Sequence, residues 1–403
     1  MVDYCIAGAG LSGMVLAERL TAAGKSVLIV ERRNHIGGNC YDAHDANGVL
    51  YHVYGPHYFR TGQPGVRAYL SRFTGWLPAS YRVKAMARGR LWSFPVNLAT
   101  FEELVGHPAS PREFAAWIEE HRVPVREPAN SEEVILSKVG RDLYELFFEG
   151  YSLKQWKRHP RDLDPSICAR IPIRLEYDDR YFSDPFQAMP EQGYTAMFER
   201  MLEACGDRAE IIYGVDFLKE RKRLRFRHLI YTGPLDEYFG FSEGELPWRS
   251  LRFEPRSYTA RDLAGRLPYA GRAGFWQPVV QVNYTDDHAY TRTVEAKHVT
   301  GQDTPHTNVM FEYPADFSRG AEPYYPVPGR ESAMLAERYA GLAAQERDTV
   351  FLGRLAQYQY LNMDQVVHNA LECFKTMMGT ALSDKAAAFT TMATRAAVHR
   401  MPG

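Results

Sequence analysis

Cys5-Ile6-Ala7-Gly8-Ala9-Gly10-Leu11-Ser12-Gly13 is the stretch whose reading decides the fold. A short helical pattern follows it, and then a second apolar run, Val27-Leu28-Ile29-Val30, which ends in Glu31. Strand, glycine turn, helix, strand and terminal acid together make a dinucleotide-binding fingerprint. Gly8 permits the tight turn, Gly10 lets the backbone approach a pyrophosphate, and Gly13 lets the helix pack closely on the strand. Glu31 is placed to hold a ribose hydroxyl. The phosphates then sit at a helix N-terminus, among backbone N–H groups that lack intrahelical partners. NAD and FAD use the same turn. A glycine pair soon after the acid, in Ile36-Gly37-Gly38-Asn39, suggests a second close backbone approach, which a large flavin dinucleotide needs more.

Working outward, 403 residues predict two or three domains rather than one small core. Lys plus Arg (48) nearly balances Asp plus Glu (49), so no global field points to nucleic acid or an anionic membrane. Phosphate recognition must therefore come from a few placed arginines. The five cysteines, Cys5, Cys40, Cys168, Cys205 and Cys373, have no metal-ligand spacing and read as reduced core residues, with no metal site. No basic segment leads into a long apolar run at the N-terminus, and no apolar window is long enough to span a bilayer. A soluble cytoplasmic protein without membrane insertion is expected. Tyrosine is unusually frequent, 25 against 21 Phe, which suits either amphipathic core edges or a polar sugar-binding cleft.

Along the chain, residues 82–97 alternate as strands, with Gly89 at a turn and Pro95 closing the run. From Thr100 to Trp156 the pattern is helical. Ser110-Pro111-Arg112-Glu113 is a capping-box start, and Asn130 with Glu133 repeats the device. Ile135, Val139, Leu143, Phe147 and Tyr151 recur every four residues on one drifting helix face. The first three read as a core ridge, and the last two could protrude into a cleft. Residues 209–213, 228–231 and 349–353 look like strands that return to the nucleotide domain, making it discontinuous in sequence. Residues 279–284, 290–295 and 309–313 alternate as strands of a second sheet. After the last strand, Met363, Val366, Val367, Ala370, Leu371 and Phe374 form a helical stripe with Asn362 and Asp364 as possible caps.

In order along the chain, the sequence resembles the bacterial UDP-galactopyranose mutases from Tyr4 to about Ala370. The pieces that carry the resemblance are Ile36-Gly37-Gly38-Asn39, Tyr54-Gly55-Pro56-His57, Phe94-Pro95-Val96-Asn97-Leu98, Phe147-Phe148-Glu149-Gly150-Tyr151 running to Trp156, and Ala169-Arg170-Ile171-Pro172. They continue with Asp178-Asp179-Arg180-Tyr181-Phe182, Gly233-Pro234-Leu235-Asp236, Tyr290-Thr291-Arg292, Pro323-Tyr324-Tyr325-Pro326, Gly353-Arg354-Leu355 and Tyr360-Leu361-Asn362-Met363-Asp364.

The resemblance implies an α/β protein in which a discontinuous Rossmann-like FAD-binding domain is joined to a helical domain and a twisted antiparallel sheet domain. The expected partition is 1–78, 186–235 and 330–403 for the FAD domain, 98–165 for a helical lid, and 79–97, 166–185 and 236–329 for the sheet. It also implies interconversion of the six- and five-membered ring forms of UDP-galactose by FAD that is active when reduced, its N5 displacing UDP from the anomeric carbon. Arg170 and Arg292 match the family's diphosphate arginines. Tyr181, Tyr325 and Tyr360 match phosphate-holding tyrosines, with Phe182 beside them. Phe147 and Tyr151 would sandwich the uracil, while Trp156 and Asn97 match the sugar pocket. His57 would face the flavin. The expected FAD contacts are Gly8, Gly10, Gly13, Glu31, Arg32, Gly38, Asn39, Arg354, Asn362, Met363 and Asp364. An external reductant for the flavin and a homodimer are further implications.

The departure that matters most is Arg60. The family usually reads Gly-Pro-His-Ile-Phe-His-Thr, whereas this chain has Gly55-Pro56-His57-Tyr58-Phe59-Arg60-Thr61. A permanently charged fork replaces an imidazole near the sugar and flavin. Residues 274–279 also depart from the family pattern. Both changes leave UDP-N-acetylgalactosamine or a dTDP-hexose open as substrate. An FAD-dependent oxidoreductase and a non-catalytic nucleotide-sugar-binding protein are the alternatives of other classes.

Overall fold

The computed structural model describes residues 1–169, 171–264 and 274–379. Residues 4–7 of the opening strand Val2–Ala7, and all of its neighbour Val27–Val30, are buried on both faces, as interior strands of a parallel sheet must be. They occupy the middle of a five-stranded parallel sheet whose order is Ala209–Ile212, Val27–Val30, Val2–Ala7, Phe226–Tyr231, Thr349–Phe351. Ala7 sits in register with Val30 on one side and Tyr231 on the other, and Tyr231 pairs in turn with Phe351. The discontinuous nucleotide domain expected from the sequence is thus assembled from five separated strands.

Helices Leu11–Ala22, Gly193–Cys205 and Met363–Gly379 pack together on one face of this sheet. Met14, Leu20, Phe198, Met201, Val367 and Ala370 are buried between them. The opposite face is closed by Phe217, Tyr238, Tyr339 and Phe351. All five cysteines are buried thiols.

The second sheet has seven strands in the order Tyr325–Pro326, Trp248–Tyr258, Thr307–Asp316, Arg292–Val294, Gln281–Tyr284, Val83–Ala87, Arg90–Phe94. It corrects one expectation: the sheet is not purely antiparallel, because Gln281–Tyr284 runs parallel to Val83–Ala87. That junction joins two antiparallel pieces from distant parts of the chain. A small three-stranded sheet, Phe59–Thr61, Phe186–Pro190 and Trp76–Pro78, lies apart from the two larger ones.

The capping box at Ser110 forms as read, with the Ser110 side chain and Glu113 exchanging bonds across the first turn of Pro111–His121. Asn130 caps Ser131–Tyr144 by accepting from Glu133 N at 2.9 Å. The ridge from Ile135 to Tyr151 is not one continuous helix. Gly140 leaves helical geometry (φ 76°, ψ −176°), where a Cβ would lie 2.4 Å from the His121 carbonyl. Glu145–Glu149 is then a π-turn, which leads into Gly150–Trp156. Thr285 Oγ1 donates to the Leu146 carbonyl at 3.0 Å, and a Cβ on Gly150 would be 2.4 Å from the Thr285 carbonyl. An inserted residue turns the following helix face by roughly 100°. Phe147 and Tyr151 are therefore presented differently from the residues that precede them.

Candidate active site

Two cavities meet where the nucleotide domain touches the mixed sheet. The smaller, about 220 Å³, follows the glycine turn, and the larger, about 1280 Å³, is an open cleft. Asn39, His57, Tyr324, Arg354, Leu361 and Met363 line both and so mark the junction.

The smaller cavity is walled by close backbone approaches at glycines. Gly8 holds φ +110°, and a Cβ there would strike Thr232 Oγ1 at 2.2 Å. A Cβ on Gly13 would lie 2.0 Å from the Gly8 carbonyl, so this glycine serves helix packing and does not line the cavity. Gly10 and Gly38 face one another, a Cβ on Gly38 approaching Gly10 Cα to 3.0 Å. Glu31 is buried, and its two oxygens accept from Ala9 N (2.7 Å) and Arg33 N (2.8 Å), which ties the acid to the glycine turn. Each oxygen keeps a lone pair that can take a ribose hydroxyl. Arg32 lies at this end beside Glu237 and Glu322, at 3.7 and 3.6 Å.

Two buried donors lack partners here. Arg33 gives Nη2 to Asn39 Oδ1 (2.8 Å) and Glu322 Oε2 (2.6 Å) and stacks on Tyr54, while its Nη1 has no acceptor. Arg354 donates Nη2 to the Tyr324 carbonyl at 2.7 Å, while its Nε has none. Unsatisfied buried guanidinium N–H groups beside a glycine cradle fit an anionic dinucleotide, whose phosphates would complete them. Asn362 and Met363 line the cleft at the start of the last helix. Asp364, expected there as well, is buried and lines neither cavity, and its Oδ1 accepts from Gln365 N at 2.9 Å.

The cleft gathers most of the expected substrate residues. His57 Nδ1 lies 2.9 Å from the Gly55 carbonyl, which can only accept, so Nδ1 carries the proton and Nε2 is left as an acceptor. Its backbone N–H donates to His52 Nδ1 at 3.0 Å. Burial pushes the pKa of His57 down to about 3 and that of His52 down to about 4, so both rings are neutral near neutral pH. Arg292 gives both Nε (2.8 Å) and Nη2 (2.7 Å) to Glu312 Oε1 from the facing strand position. Burial opposes its charge, but Glu312 holds it protonated well above the ordinary range. Tyr325 stacks on Tyr360 at 5.8 Å and meets Trp156 at 6.4 Å. Tyr81, Tyr151 and Tyr325 all lie within electrostatic reach of Arg292.

On the other wall, Tyr181 packs against Phe182, and Phe182 carries the Arg60 guanidinium 4.3 Å above its ring. Arg60 also pairs with Asp184 at 2.7 Å, so its fork is already occupied by the segment that carries Tyr181 and Phe182.

Of the expected substrate residues that the structure describes, Asn97, Phe147 and Tyr151 line neither cavity. Arg170 is outside the described residues. Asn97 is buried as the cap of Leu98–Val105, its Oδ1 accepting from Thr100 N at 3.1 Å, and it lines neither cavity. Phe147 is core, packed against Trp92 and Phe94 on the hairpin Val83–Phe94. Sequence reasoning also missed residues that the cleft contains. Arg174, four positions after Arg170 and in the same Arg-Ile-Pro-Ile-Arg string, lines the cleft and is held 3.3 Å from Asp178. That string was the available signal. Glu312 and Arg33 had none, since one depends on strand register and the other is a second arginine in a run.

No group of three or more His, Cys, Asp or Glu side chains able to hold a metal occurs among the described residues. No helix among them is long and apolar enough to cross a membrane.

Comparison with known proteins gives a consistent picture. Residues 6–73 match the model of an NAD(P)-binding Rossmann-like domain, and residues 146–360 match that of UDP-galactopyranose mutase. A probable UDP-galactopyranose mutase of Klebsiella pneumoniae is 38% identical, covering 92% of this chain and 93% of its own. A dTDP-fucopyranose mutase of Escherichia coli is 34% identical, covering 93% and 97%. The crystal structure of a reduced UDP-galactopyranose mutase shares the fold, with a TM-score of 0.70 at 16% identity over 98% of this chain and 99% of that one. A glycine cradle opening onto a cleft that holds a fixed arginine and a wall of tyrosines, with sequence likeness along nearly the whole length, places the chain in the UDP-galactopyranose mutase family.

Proposed function

We propose that this protein interconverts the pyranose and furanose forms of UDP-galactose, using FAD bound along the glycine cradle. The observation that supports this reading is the junction of the two cavities at His57 and Arg354, where a dinucleotide held along the glycine cradle would meet the cleft whose wall holds Arg292. Held by the Gly8, Gly10 and Gly38 backbone and by Arg354, reduced FAD would supply a nucleophilic nitrogen, with no net change of redox state over a turnover. The chain's own residues do the rest. Arg292, locked by Glu312, and Arg174 on the opposite wall stabilise the diphosphate as it departs and hold it for its return; fixed guanidiniums need no reorganisation at that moment. Tyr325 and Tyr360 hold the phosphates, and Trp156 and Tyr181 shape the sugar pocket. Neutral His57, with Nε2 as acceptor, sits beside the reacting centre and can accept a hydrogen bond there.

The sugar itself is set by detail. The E. coli relative acts on a dTDP-sugar, and Arg60 adds a fixed charge to the cleft. A second reading is therefore the same chemistry on a dTDP-hexose or on UDP-N-acetylgalactosamine. Incubating dithionite-reduced holoenzyme with UDP-galactose, UDP-N-acetylgalactosamine and dTDP-fucose and separating the products tests both. Furanose from UDP-galactose supports the first reading, furanose from another sugar alone supports the second, and none from any refutes the assignment. The same assay under oxidising conditions should give no turnover. A cytoplasmic location, an external reductant and a homodimer belong to this reading as well.

A further inference from the structure

Glu312 is the most deeply buried acid in the cleft wall, with 1% of its surface exposed. Its carboxylate is used unevenly. Oε1 accepts two N–H groups from Arg292, at 2.8 and 2.7 Å, while Oε2 is buried with no hydrogen-bond partner. Glu312 nevertheless lines the cleft, on the strand opposite Arg292.

Among the described residues, only Arg292 brings a cation to this carboxylate. From the neighbouring strand comes Arg292, and from other elements come the phenols of Tyr81, Tyr151 and Tyr325. Phe253 stands opposite in the ladder, and the Gly55 backbone lies near, the Cβ position of Gly55 being 3.7 Å from Oε2. Burial alone raises the proton affinity of Glu312 in spite of Arg292.

A diphosphate docking on Arg292 brings further negative charge beside a carboxylate whose unused oxygen lies next to Gly55, a residue that lines the same cleft. Like charges this close in a dry site do not both stay ionised. We propose that Glu312 takes a proton from solvent onto Oε2 when a nucleoside-diphosphate sugar settles against Arg292, and then donates it in a hydrogen bond to a diphosphate oxygen. Glu312 thus works as a neutralising clamp: ionised, it locks Arg292 in the free protein, and protonated, it yields that cation to the substrate. The inference rests on the nucleotide-sugar reading above.

The sign follows directly. Substrate raises the proton affinity of Glu312, so binding strengthens as pH falls and weakens as pH rises between the free and bound values, by up to about tenfold per pH unit.

The test is calorimetric titration of oxidised holoenzyme, which does not turn over, with UDP-galactose between pH 6 and 9 in buffers of different ionisation enthalpy. The diphosphate diester of this ligand does not titrate in that range. Uptake approaching one proton is expected at the lower end, with Glu312→Gln binding UDP-galactose but showing no uptake and a flat pH profile. Binding without proton uptake in the wild type overturns the clamp and leaves the nucleotide-sugar reading standing, and so does equal uptake in Glu312→Gln. No binding of UDP-galactose, UDP-N-acetylgalactosamine or dTDP-fucose at any pH overturns both. Should Glu312→Gln fail to fold, the infrared difference spectrum of the wild type decides: a protonated-carboxyl band must appear with UDP-galactose and shift on 13C-glutamate labelling, and its absence overturns the clamp.

Discussion

Gly10→Ala separates what the chain needs from what its ligand needs. Gly10 has φ −78° and ψ −174°, extended backbone open to any residue, and a Cβ there meets nothing nearer than Gly38 Cα at 3.9 Å. Reduced freedom of the unfolded chain favours Ala by about 0.4–1 kcal/mol. Alanine is the poorer helix N-cap by roughly 0.5–1 kcal/mol. The two offset, and the apoprotein should keep its stability within about 0.5 kcal/mol. The added methyl, however, would stand in the gap between Gly10 and Gly38 where the pyrophosphate of the proposed FAD would approach the backbone. Losing one charge-assisted hydrogen bond there, at about 1.5–3 kcal/mol, weakens FAD binding by about 10- to 150-fold. Flavin fluorescence quenching on titration of deflavinated protein measures the affinity, and thermal melting of the same apoprotein measures stability. Gly13→Ala is the contrast, because its Cβ would lie 2.0 Å from the Gly8 carbonyl; it should cost about 1–3 kcal/mol of stability. An apoprotein of Gly10→Ala that melts much lower while binding FAD normally would refute the assignment of this gap to the phosphates.

Other consequences follow from the cleft. Arg292→Ala should lower kcat/KM of the reduced enzyme by about 10²–10³-fold, as for a group aimed at developing charge; near-normal rates would move the anion site elsewhere. His52 and His57 have pKa values held down to about 4 and about 3 by burial, so their neutral forms stabilise the fold fully above pH 6.5. That contribution is lost as pH falls toward those values, by up to about 1.4 kcal/mol per pH unit for each. Denaturant unfolding of the apoprotein from pH 7 to 5 should show the fall, and His57→Asn should flatten it. Arg60→His breaks the pair with Asp184 and the stacking on Phe182. Since the pair is partly exposed, stability should change by less than about 1 kcal/mol, while the preference among nucleotide sugars in the product assay should shift.

The parts of this protein that were legible in the sequence are those written in local chemistry. The glycine turn, the buried strand ending at Val30 and the caps at Ser110 and Asn130 each follow from the residue types within a few positions. The π-turn at Glu145–Glu149 was not legible, because Thr285, more than a hundred residues away, satisfies the carbonyl it releases. A five-residue ridge of period four therefore read as one helix, and Phe147 was expected in a cleft when it fills the core. Asn97 carries the signature of a helix cap as clearly as that of a pocket residue, and capping is what the geometry uses. The parallel pairing of Gln281–Tyr284 with Val83–Ala87 and the facing of Glu312 and Arg292 depend on strand register across the sheet. Nothing in the order of residues announces either.

The parallel sheet also fixes a timetable for the molecule. Its central strand is made among the first residues, but its neighbour Phe226–Tyr231 and the edge strand Thr349–Phe351 come off the ribosome hundreds of residues later. Arg354, which completes the cradle, follows only after that. The emerging N-terminus therefore holds a fingerprint it has no means of closing, and cofactor capture has to wait for nearly the whole chain. A nascent chain stalled before Thr349 would carry every glycine of the fingerprint and retain no flavin.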